Sequence, residues 1–344
     1  MIPTDLLVGS ATAFTVSILL TGIWIRSLQN RLNTVDEQER MLLLKFFFGK
    51  DMNKPGEIYV PRYGGLWAVI GIVFGLLVLE AYYVYLQGIR YFITEIFSIV
   101  TLLILGGFIG LLDDIYGLPI KHRLLATLLI SIPLATVKAG VSQISFPKIG
   151  KLDLGIYYSL LLVPIGIMGA SNAFNMLAGY NGLEAGMASI ILSGYALYAF
   201  HHGKYLSYQL AVISLAGVLG FLYWNRYPAR TFPGNTFTYA VGALLAAIVI
   251  VDNFEKFGVT LFALYFLELA LFLTGLANGV YKQNFGRPAP NGELDLPYEK
   301  IYSVTHLAIY ILKKLGIRST EKNVVILILS VQLLLTITAL VITW

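Results

Sequence analysis

Runs of about 20 nearly uncharged apolar residues recur along this 344-residue chain and constrain its fold more than any other feature. We predict ten membrane spans, at 5–25, 65–87, 92–112, 124–137, 156–172, 183–200, 208–224, 236–252, 257–280 and 324–343. The fourth run is short and contains Pro133. The runs are too long and too uniformly apolar for barrel strands, and lipid leaves no backbone group unpaired. We therefore expect an all-α polytopic membrane protein, with residues 1–344 forming a single transmembrane domain.

The composition agrees with a membrane protein and excludes two classes of site. Hydrophobic residues make up 57% of the chain and charged residues only 12%, which is outside the range of soluble globular domains. The chain has no cysteine, so it contains neither a disulfide framework nor a thiolate metal centre.

The positions of the basic residues predict the orientation in the membrane. Eighteen of the 24 lysines and arginines fall in the odd-numbered connections between the predicted spans. Cytoplasmic loops carry an excess of lysine and arginine, so the odd connections are expected to be cytoplasmic and both termini outside.

Three connections are expected to carry structure of their own. Residues 26–63 and 300–316 combine basic and apolar residues at helical spacing, which is typical of helices in the headgroup region. The alternative is that they are only the basic flanks of the spans. Residues 138–155 alternate around Pro147 and Gly150 and predict a small outer β-hairpin.

Four polar motifs fall on odd connections and are therefore predicted to meet on the cytoplasmic side. They are "LLDDIYG" with Asp113 and Asp114, "SNAFNMLAGYNGLEAG" at 171–186, "WNRYPARTFPGNTF" at 224–237 and "YKQNFGRPAPNGELDLPY" at 281–298. Oxygen ligands of this kind suit Mg²⁺ shared with substrate phosphates, and arginines bind phosphate oxygens. The alternative for the aspartate pair is a solvated helix end.

The stretch "GYNGLEAG" has two compatible interpretations. Asn181 and Glu184 have the spacing of a capping box at the start of the sixth span, with Gly179 and Gly182 in the preceding turn. The same geometry presents backbone N–H groups to an anion or a polar ring edge.

From about residue 49 to the last span, these motifs resemble the UDP-GlcNAc:dolichyl-phosphate GlcNAc-1-phosphate transferases, in the polyprenyl-phosphate sugar-1-phosphate transferase superfamily (glycosyltransferase family 4). The resemblance implies about ten transmembrane helices, a cytoplasmic active site that uses Mg²⁺ (or Mn²⁺), and a homodimer. It implies UDP-GlcNAc and membrane-embedded dolichyl phosphate as substrates, with no nucleic acid as a partner. The short ninth connection and the absence of cysteine suggest an archaeal cell membrane; a eukaryotic member would occupy the ER membrane.

The resemblance also implies the roles of individual residues. Asp113 and Asp114 would lie at the reacting centre, with Arg123 where the family has a phosphate-contacting lysine. Asn175 would be a metal ligand, and Asn235 stands where the family has the aspartate of a "GDT" turn. The expected substrate-binding residues are Lys54, Asn172, Gly179, Asn181, Gly182, Glu184, Phe232 and Arg287, with Gly179 and Asn181 at the uracil, Phe232 stacking on it and Asn172 supporting the turn.

Two other functions fit the sequence. One is the same transfer with another UDP-sugar or another polyprenyl phosphate. The other is a secondary transporter, whose coupling residues normally lie near the middle of the bilayer. Glu268 is the exception in otherwise almost charge-free spans, and we expect a protonated side chain that is hydrogen-bonded within the bundle.

Overall fold

The computed structural model describes residues 4–90, 92–146 and 150–343. Its helices are α1 Thr4–Thr34, α2 Glu37–Phe47, α3 Gly64–Tyr82, α4 Ile93–Tyr116, α5 Ile120–Leu129, α6 Ile132–Thr136, α7 Val163–Met176, α8 Leu183–His201, α9 Tyr205–Asn225, α10 Gly234–Val251, α11 Glu255–Leu261, α12 Ala263–Ala277, α13 Val304–Lys314 and α14 Glu321–Thr343. Three antiparallel strand pairs accompany them: β1 Phe48–Lys50 with β2 Tyr59–Pro61, β3 Gln143–Phe146 with β4 Gly150–Asp153, and β5 Arg287–Pro288 with β6 Leu294–Asp295. One π-helical segment, Tyr83–Gln87, continues α3, and another, Tyr158–Leu162, leads into α7.

Eight helices of the described chain are long and apolar enough to cross a membrane. They are α1, α3 with its π-helical end, α4, α7 with its π-helical start, α8, α9, α10 and α14. Helices α11 and α12 meet the same criteria together, but the chain bends by 56° between them, at Phe262. The prediction of an all-α polytopic membrane protein is confirmed.

The fourth predicted span, 124–137, differs from the others. The structure divides this part of the chain into α5, of 10 residues, and α6, of 5 residues, with a turn at Ile130 and Ser131 between them. Neither helix alone reaches the length that a membrane crossing needs. Pro133 lies in the first turn of α6, where its missing N–H removes no helical hydrogen bond.

Helix α10 forms the centre of the bundle, and its most apolar segment is 83% buried. It packs against α4, α7 and α3. Small residues make this approach close: a Cβ atom added at Gly110 of α4 would lie 2.3 Å from the backbone oxygen of Asn235. Glycine at such contacts lets membrane helices pack backbone to backbone. The last turn of α4 therefore lies directly beside the first turn of α10.

The two predicted surface helices have different environments. Helix α2 leaves Met41, Leu42 and Phe46 exposed, as expected for a helix in the headgroup region. Helix α13 instead buries Ile309 and Leu312 and packs against α14 and α12. Its apolar face is therefore part of the protein interior, while a position of 300–316 in the headgroup region stays a prediction.

The predicted hairpin at 138–155 is present as β3 and β4, with Gln143 opposite Asp153 and Phe146 opposite Gly150. Pro147 lies outside the described residues. Beyond the hairpin, the Asp153 carboxylate accepts a hydrogen bond from the backbone N–H of Gly155 at 2.9 Å. This bond stabilises the turn between β4 and the π-helical segment that leads into α7.

Candidate active site

Asp113, in the last turn of α4, is buried and surrounded by donors. Its Oδ1 accepts a hydrogen bond from the backbone N–H of Leu118 at 2.8 Å. Its Oδ2 accepts from Asn235 Nδ2 at 2.9 Å and from the Tyr239 hydroxyl at 2.7 Å. The Arg123 guanidinium contacts both oxygens, with Nη2 3.2 Å from Oδ1 and Nε 3.1 Å from Oδ2. The charge of Asp113 is thus compensated within the protein, and its lone pairs are largely occupied.

Asp114 is only half-buried and has a different environment. Its Oδ2 accepts from the backbone N–H and the hydroxyl of Thr236, at 3.3 and 3.4 Å, in the first turn of α10. A Cβ atom at Gly234 would lie 2.6 Å from this oxygen, so glycine permits the approach. Arg62 lies within electrostatic range. The backbone N–H of Asn235 also contacts this carboxylate, but no side chain of the described residues donates to Oδ1, which therefore keeps a free lone pair.

The two aspartates therefore tolerate each other for separate reasons. Asp113 is paired with a guanidinium, whereas Asp114 lies at the positive N-terminal end of α10. The solvated-end alternative fits Asp113 poorly, because only 2% of that residue is exposed.

The two predicted metal ligands contact each other. Asn175 Nδ2 donates to Asn235 Oδ1 at 2.8 Å and to the Thr238 hydroxyl at 3.0 Å. The amide of Asn235 is thereby used on both sides, its nitrogen on Asp113 and its oxygen on Asn175. Asn175 Oδ1 accepts no hydrogen bond from any part of the chain that the structure describes. We call Asp113, Asp114, Arg123, Asn175 and Asn235 the aspartate cluster.

Asn172 fixes the position of α7 relative to α5. Its Nδ2 donates to the Thr127 hydroxyl at 2.7 Å and to the Met168 carbonyl at 2.8 Å. The side chain acts one helical turn before Asn175 and is compatible with the supporting role that the resemblance implies.

The turn between α7 and α8 is closed by Glu184. Its Oε1 accepts from the backbone N–H of Gly179 at 2.8 Å, and Gly179 has a φ of +110°, which favours glycine. The capping box is therefore wrong in detail. The N-cap of α8 is Gly182, which has a φ of +84°, and Glu184 bonds to Gly179 rather than to Asn181.

Asn181 is bound by two acidic residues that are distant in sequence. Its Nδ2 donates to Asp51 Oδ2 at 3.2 Å and to Glu321 Oε2 at 3.4 Å, and its backbone N–H donates to Glu321 Oε1 at 2.9 Å. Asn53 Nδ2 also reaches Glu321 Oε1, at 3.3 Å, while Lys54 Nζ pairs with Asp51 Oδ2 at 2.9 Å. We call these five residues the turn cluster.

The other predicted binding residues lie in three places. Phe232 is half-buried, and a Cβ atom at Gly49 would lie 3.1 Å from its ring. Gly182 backs onto Arg226, with an added Cβ 3.2 Å from the Arg226 Cα. Arg287 is exposed on β5 and donates to the Pro297 carbonyl at 2.8 Å, so its described bond lies within its own loop.

The loop that carries Arg287 is nevertheless attached to the α7–α8 turn. Asn284 Nδ2 donates to the carbonyls of Met176 and Ala178, both at 2.8 Å. The ring of Phe285 lies against Gly179, where an added Cβ would be 2.8 Å from Cε1. The fourth polar motif thus closes one side of the turn.

Comparison with known proteins agrees with this architecture. Residues 96–253 match the family model described as glycosyl transferase family 4. A protein of Saccharolobus solfataricus, provisionally named UDP-N-acetylglucosamine–dolichyl-phosphate N-acetylglucosaminephosphotransferase, is 34% identical over 300 residues, 86% of this chain and 88% of the relative. This chain belongs to glycosyltransferase family 4.

Further relatives of this family 4 member come from archaea and bacteria. A Sulfolobus acidocaldarius protein with the same provisional name is 35% identical over 299 residues, 86% of this chain and 87% of the relative. A phospho-N-acetylmuramoyl-pentapeptide-transferase of Oceanobacillus iheyensis is 30% identical over 273 residues, covering 73% of this chain and 77% of the relative.

Sequence reasoning missed several residues of this family 4 site. These include Asp51, Asn53 and Glu321. Asp51 and Asn53 are close to Lys54 in the chain, but all three missed residues are far from Asn181 in sequence, and only the fold brings them to it. Tyr239 was hidden because it lies in an apolar span, although its helical spacing from Asn235 places both on one face of α10.

Tyr63 was also missed. Its hydroxyl donates to the Phe46 carbonyl at 2.8 Å. Burial, followed by the nearby charge of Asp114, raises the pKa of Tyr63, so the phenol remains protonated at neutral pH. It provides a neutral neighbour on the side of the cluster where Arg62 lies.

Glu268 is hydrogen-bonded within the bundle, as we expected, and it also has a lysine partner. It forms an ion pair with Lys282 and accepts hydrogen bonds from Ser303 Oγ at 3.0 Å and from the backbone N–H of Val304 at 2.7 Å. These contacts attach the start of α13 to α12. Glu268, the acid whose position favoured a transporter, therefore has a structural explanation.

Proposed function

We propose that this protein transfers N-acetylglucosamine 1-phosphate from UDP-GlcNAc to dolichyl phosphate. An oxygen of dolichyl phosphate would attack the β-phosphorus of UDP-GlcNAc, and the bond from that phosphorus to the UMP oxygen would break. The products would be GlcNAc-diphosphodolichol and UMP. Two relatives that align over 86% of this chain bear the name of that activity. The reaction would begin the assembly of lipid-linked oligosaccharides for N-glycosylation.

The contrast between the two aspartates is the observation that carries the proposal. One carboxylate is neutralised by Arg123, and the other is half-buried with free lone pairs at the end of a membrane-spanning helix. The phosphate of a membrane-embedded acceptor lipid would lie at the same depth in the membrane as this helix end. A phosphate monoester is largely ionised at neutral pH, so it needs little help from a general base. We therefore assign Asp114 to orienting the reactants, since phosphoryl transfer depends mainly on positioning and charge stabilisation.

A divalent cation fits the aspartate cluster only with help from the substrate. Among the described residues, no group of three or more His, Cys, Asp or Glu side chains could hold a metal ion. The free oxygens are those of Asp114 and Asn175, and both are hard ligands that suit Mg²⁺ or Mn²⁺. Bound there, the ion would neutralise charge on the pyrophosphate oxygens. With so few protein ligands, we expect it to bind mainly together with the nucleotide.

The turn cluster is proposed to hold the nucleotide base. Gly179 and Asn181 would contact the uracil, and the half-buried ring of Phe232 would stack on it. Lys54 is the basic residue among the five of the turn cluster, and its side chain pairs with Asp51. Arg287 would have to leave the Pro297 carbonyl to reach the sugar or the pyrophosphate.

The proposed location of the site follows from the basic loops. We propose that both clusters lie on the cytoplasmic side and both termini outside, because the odd connections between the predicted spans carry an excess of lysine and arginine. The archaeal origin of the two relatives supports an archaeal cell membrane. A homodimer remains a proposal that cross-linking or mass measurement in detergent would test.

Purified protein with UDP-GlcNAc, dolichyl phosphate and Mg²⁺ should release UMP. A panel of other UDP-sugars and polyprenyl phosphates, assayed in parallel, would identify the preferred substrates. Release of UDP in place of UMP would show transfer of the sugar alone and would refute the proposed bond cleavage.

A further inference from the structure

Both N–H bonds of the Asn181 side chain are used by carboxylates. The amide nitrogen lies 3.2 Å from Asp51 Oδ2 and 3.4 Å from Glu321 Oε2. All three residues are buried, with exposures of 3%, 2% and 3% for Asn181, Asp51 and Glu321. The backbone N–H of Asn181 also donates to Glu321 Oε1, at 2.9 Å, which holds that carboxylate in place.

This arrangement fixes which way the amide faces. If the amide turned over, its oxygen would face the carboxylate oxygens of Asp51 and Glu321. Two acceptors without a proton between them repel, and a buried acceptor without a donor is destabilising. Lys54 Nζ lies 2.9 Å from Asp51 Oδ2 and pairs with the same carboxylate oxygen that accepts from the amide nitrogen.

The oxygen of the amide remains available. Asn181 Oδ1 accepts no hydrogen bond within the described chain, and it is not among the fully enclosed atoms that lack a partner. Asn181 lies at the polar end of an open, mostly apolar groove of about 520 Å³, where Arg226, Tyr227 and Lys322 are also found and whose other walls include Leu222 and Leu329. The site therefore offers a fixed acceptor and no side-chain donor from Asn181.

We propose that Asp51 and Glu321 are positioning residues that set the base specificity of the site by holding Asn181 as an acceptor. This inference rests on the proposed function, in which the nucleotide is a uridine diphosphate sugar. Uracil carries a hydrogen on N3 and donates it, whereas cytosine N3 has no hydrogen and is itself an acceptor. If the Asn181 amide cannot turn over, its Oδ1 accepts the N3–H of uracil and repels the N3 lone pair of cytosine. Sites that hydrogen-bond one polar group of a substrate reject analogues that lack this group.

Replacing the carboxylates by amides tests this directly. In Glu321→Gln the side-chain oxygen can still accept from the Asn181 backbone, while the new amide nitrogen faces Asn181 Nδ2 and favours the turned-over amide. Asp51→Asn removes the second carboxylate in the same way. We expect wild type to bind UMP at least tenfold more tightly than CMP by calorimetry. The ratio of UMP affinity to CMP affinity should fall at least threefold in each single variant and at least tenfold in the double variant.

Kinetics separate positioning from general damage. The KM for UDP-GlcNAc should rise about tenfold in Glu321→Gln, while kcat and the KM for dolichyl phosphate stay within twofold. Matched controls are Asp252→Asn and Glu255→Gln. Asp252 accepts from the Ser207 backbone, and Glu255 accepts from Tyr158. Both controls should keep the wild-type ratio of UMP to CMP affinity.

Three results would be decisive. An unchanged ratio in the double variant, or equal proportional losses of UMP and CMP affinity, would overturn the inference. A single variant that folds suffices for this comparison if the double variant does not. Wild type that discriminates between the bases as expected, but releases no UMP from UDP-GlcNAc and dolichyl phosphate, would support the base selection and refute the proposed transfer.

Discussion

Asn235 donates a 2.9 Å hydrogen bond to Asp113, at the position where the family motif would place a second carboxylate. An aspartate there would face Asp113 without a proton between them. The amide of this chain therefore removes a repulsion within the protein, and it also removes one negative charge that a metal ion would use. A carboxylate at this position should therefore raise the affinity for a metal ion and lower the stability of the metal-free protein.

Asn235→Asp should bind Mg²⁺ more tightly than wild type and be less stable without it. The added carboxylate attracts the ion, because ligand charge is one of the factors that tune such sites, but it repels Asp113 when no ion is present. The thermal midpoint should therefore rise more steeply with Mg²⁺ than in wild type, and half-maximal activity should need less Mg²⁺. Asn235→Ala, which adds no charge, is the control. Identical Mg²⁺ dependence in wild type and Asn235→Asp would place residue 235 away from the metal.

Asp113→Asn and Asp114→Asn should both lower turnover at least tenfold but differ in stability. In Asp113→Asn one oxygen becomes a donor that faces other donors, including Arg123, so we expect a loss of about 1–3 kcal/mol. Asp114 is half-buried and its Thr236 hydrogen bonds, at 3.3 and 3.4 Å, use one oxygen that the amide variant can retain, so this variant should unfold within about 0.5 kcal/mol of wild type. UMP release and thermal unfolding in detergent would measure both. Normal turnover in both variants would exclude the pair from the reaction.

Gly179→Ala should destabilise the α7–α8 turn and weaken nucleotide binding. The substitution forces alanine to a φ of +110° and places its Cβ 2.8 Å from Phe285, with an expected cost of about 1–3 kcal/mol. Gly203→Ala is the matched control, because its φ is +67° and no atom lies within 4 Å of an added Cβ. It should lose about 1 kcal/mol and keep the wild-type affinity for UMP. Equal UMP affinity in both variants would argue against a nucleotide at this turn.

His306 should make the protein less stable at acidic pH. Burial, followed by the nearby charge of Lys282, lowers the pKa of His306 from 6.5 to about 4. The unfolded chain then binds a proton that the folded protein does not, so this stability is complete above pH 6.5. It should decline by about 1.4 kcal/mol per unit as the pH falls toward 4. The difference in thermal midpoint between wild type and His306→Phe should therefore depend on pH over this range. A constant difference would show that His306 is protonated equally in both states.

Apolar length and residue periodicity predicted most of the fold. Nearly all predicted spans became helices because a lipid environment permits little else for an uncharged run of this length. The run at 124–137 was the exception, since length alone does not reveal a turn at Ile130 and Ser131. The environment of α13 was also missed, because an amphipathic face has the same pattern whether it meets lipid or protein.

The aspartate cluster was largely predictable, whereas the turn cluster was not. Asp113, Asp114 and Arg123 occupy one short stretch, and the loop rule placed Asn235 on the same side. Glu321 lies in a stretch that contributes to the resemblance, but nothing in it pointed to Asn181, since an acidic residue in the first turn of a helix is common and is explained by the helix dipole. Its contact with Asn181 is a long-range product of packing α14 against α8.

The position of Glu321 has a consequence for how the protein is made. It lies at the start of the final described helix, yet it fixes a turn 140 residues earlier and a loop 268 residues earlier. During synthesis the ribosome delivers this residue after nearly all of the other helices. We therefore expect a chain that has inserted the helices before α14 to be unable to recognise its nucleotide, so that the new protein remains inactive in the membrane until α14 docks against α8.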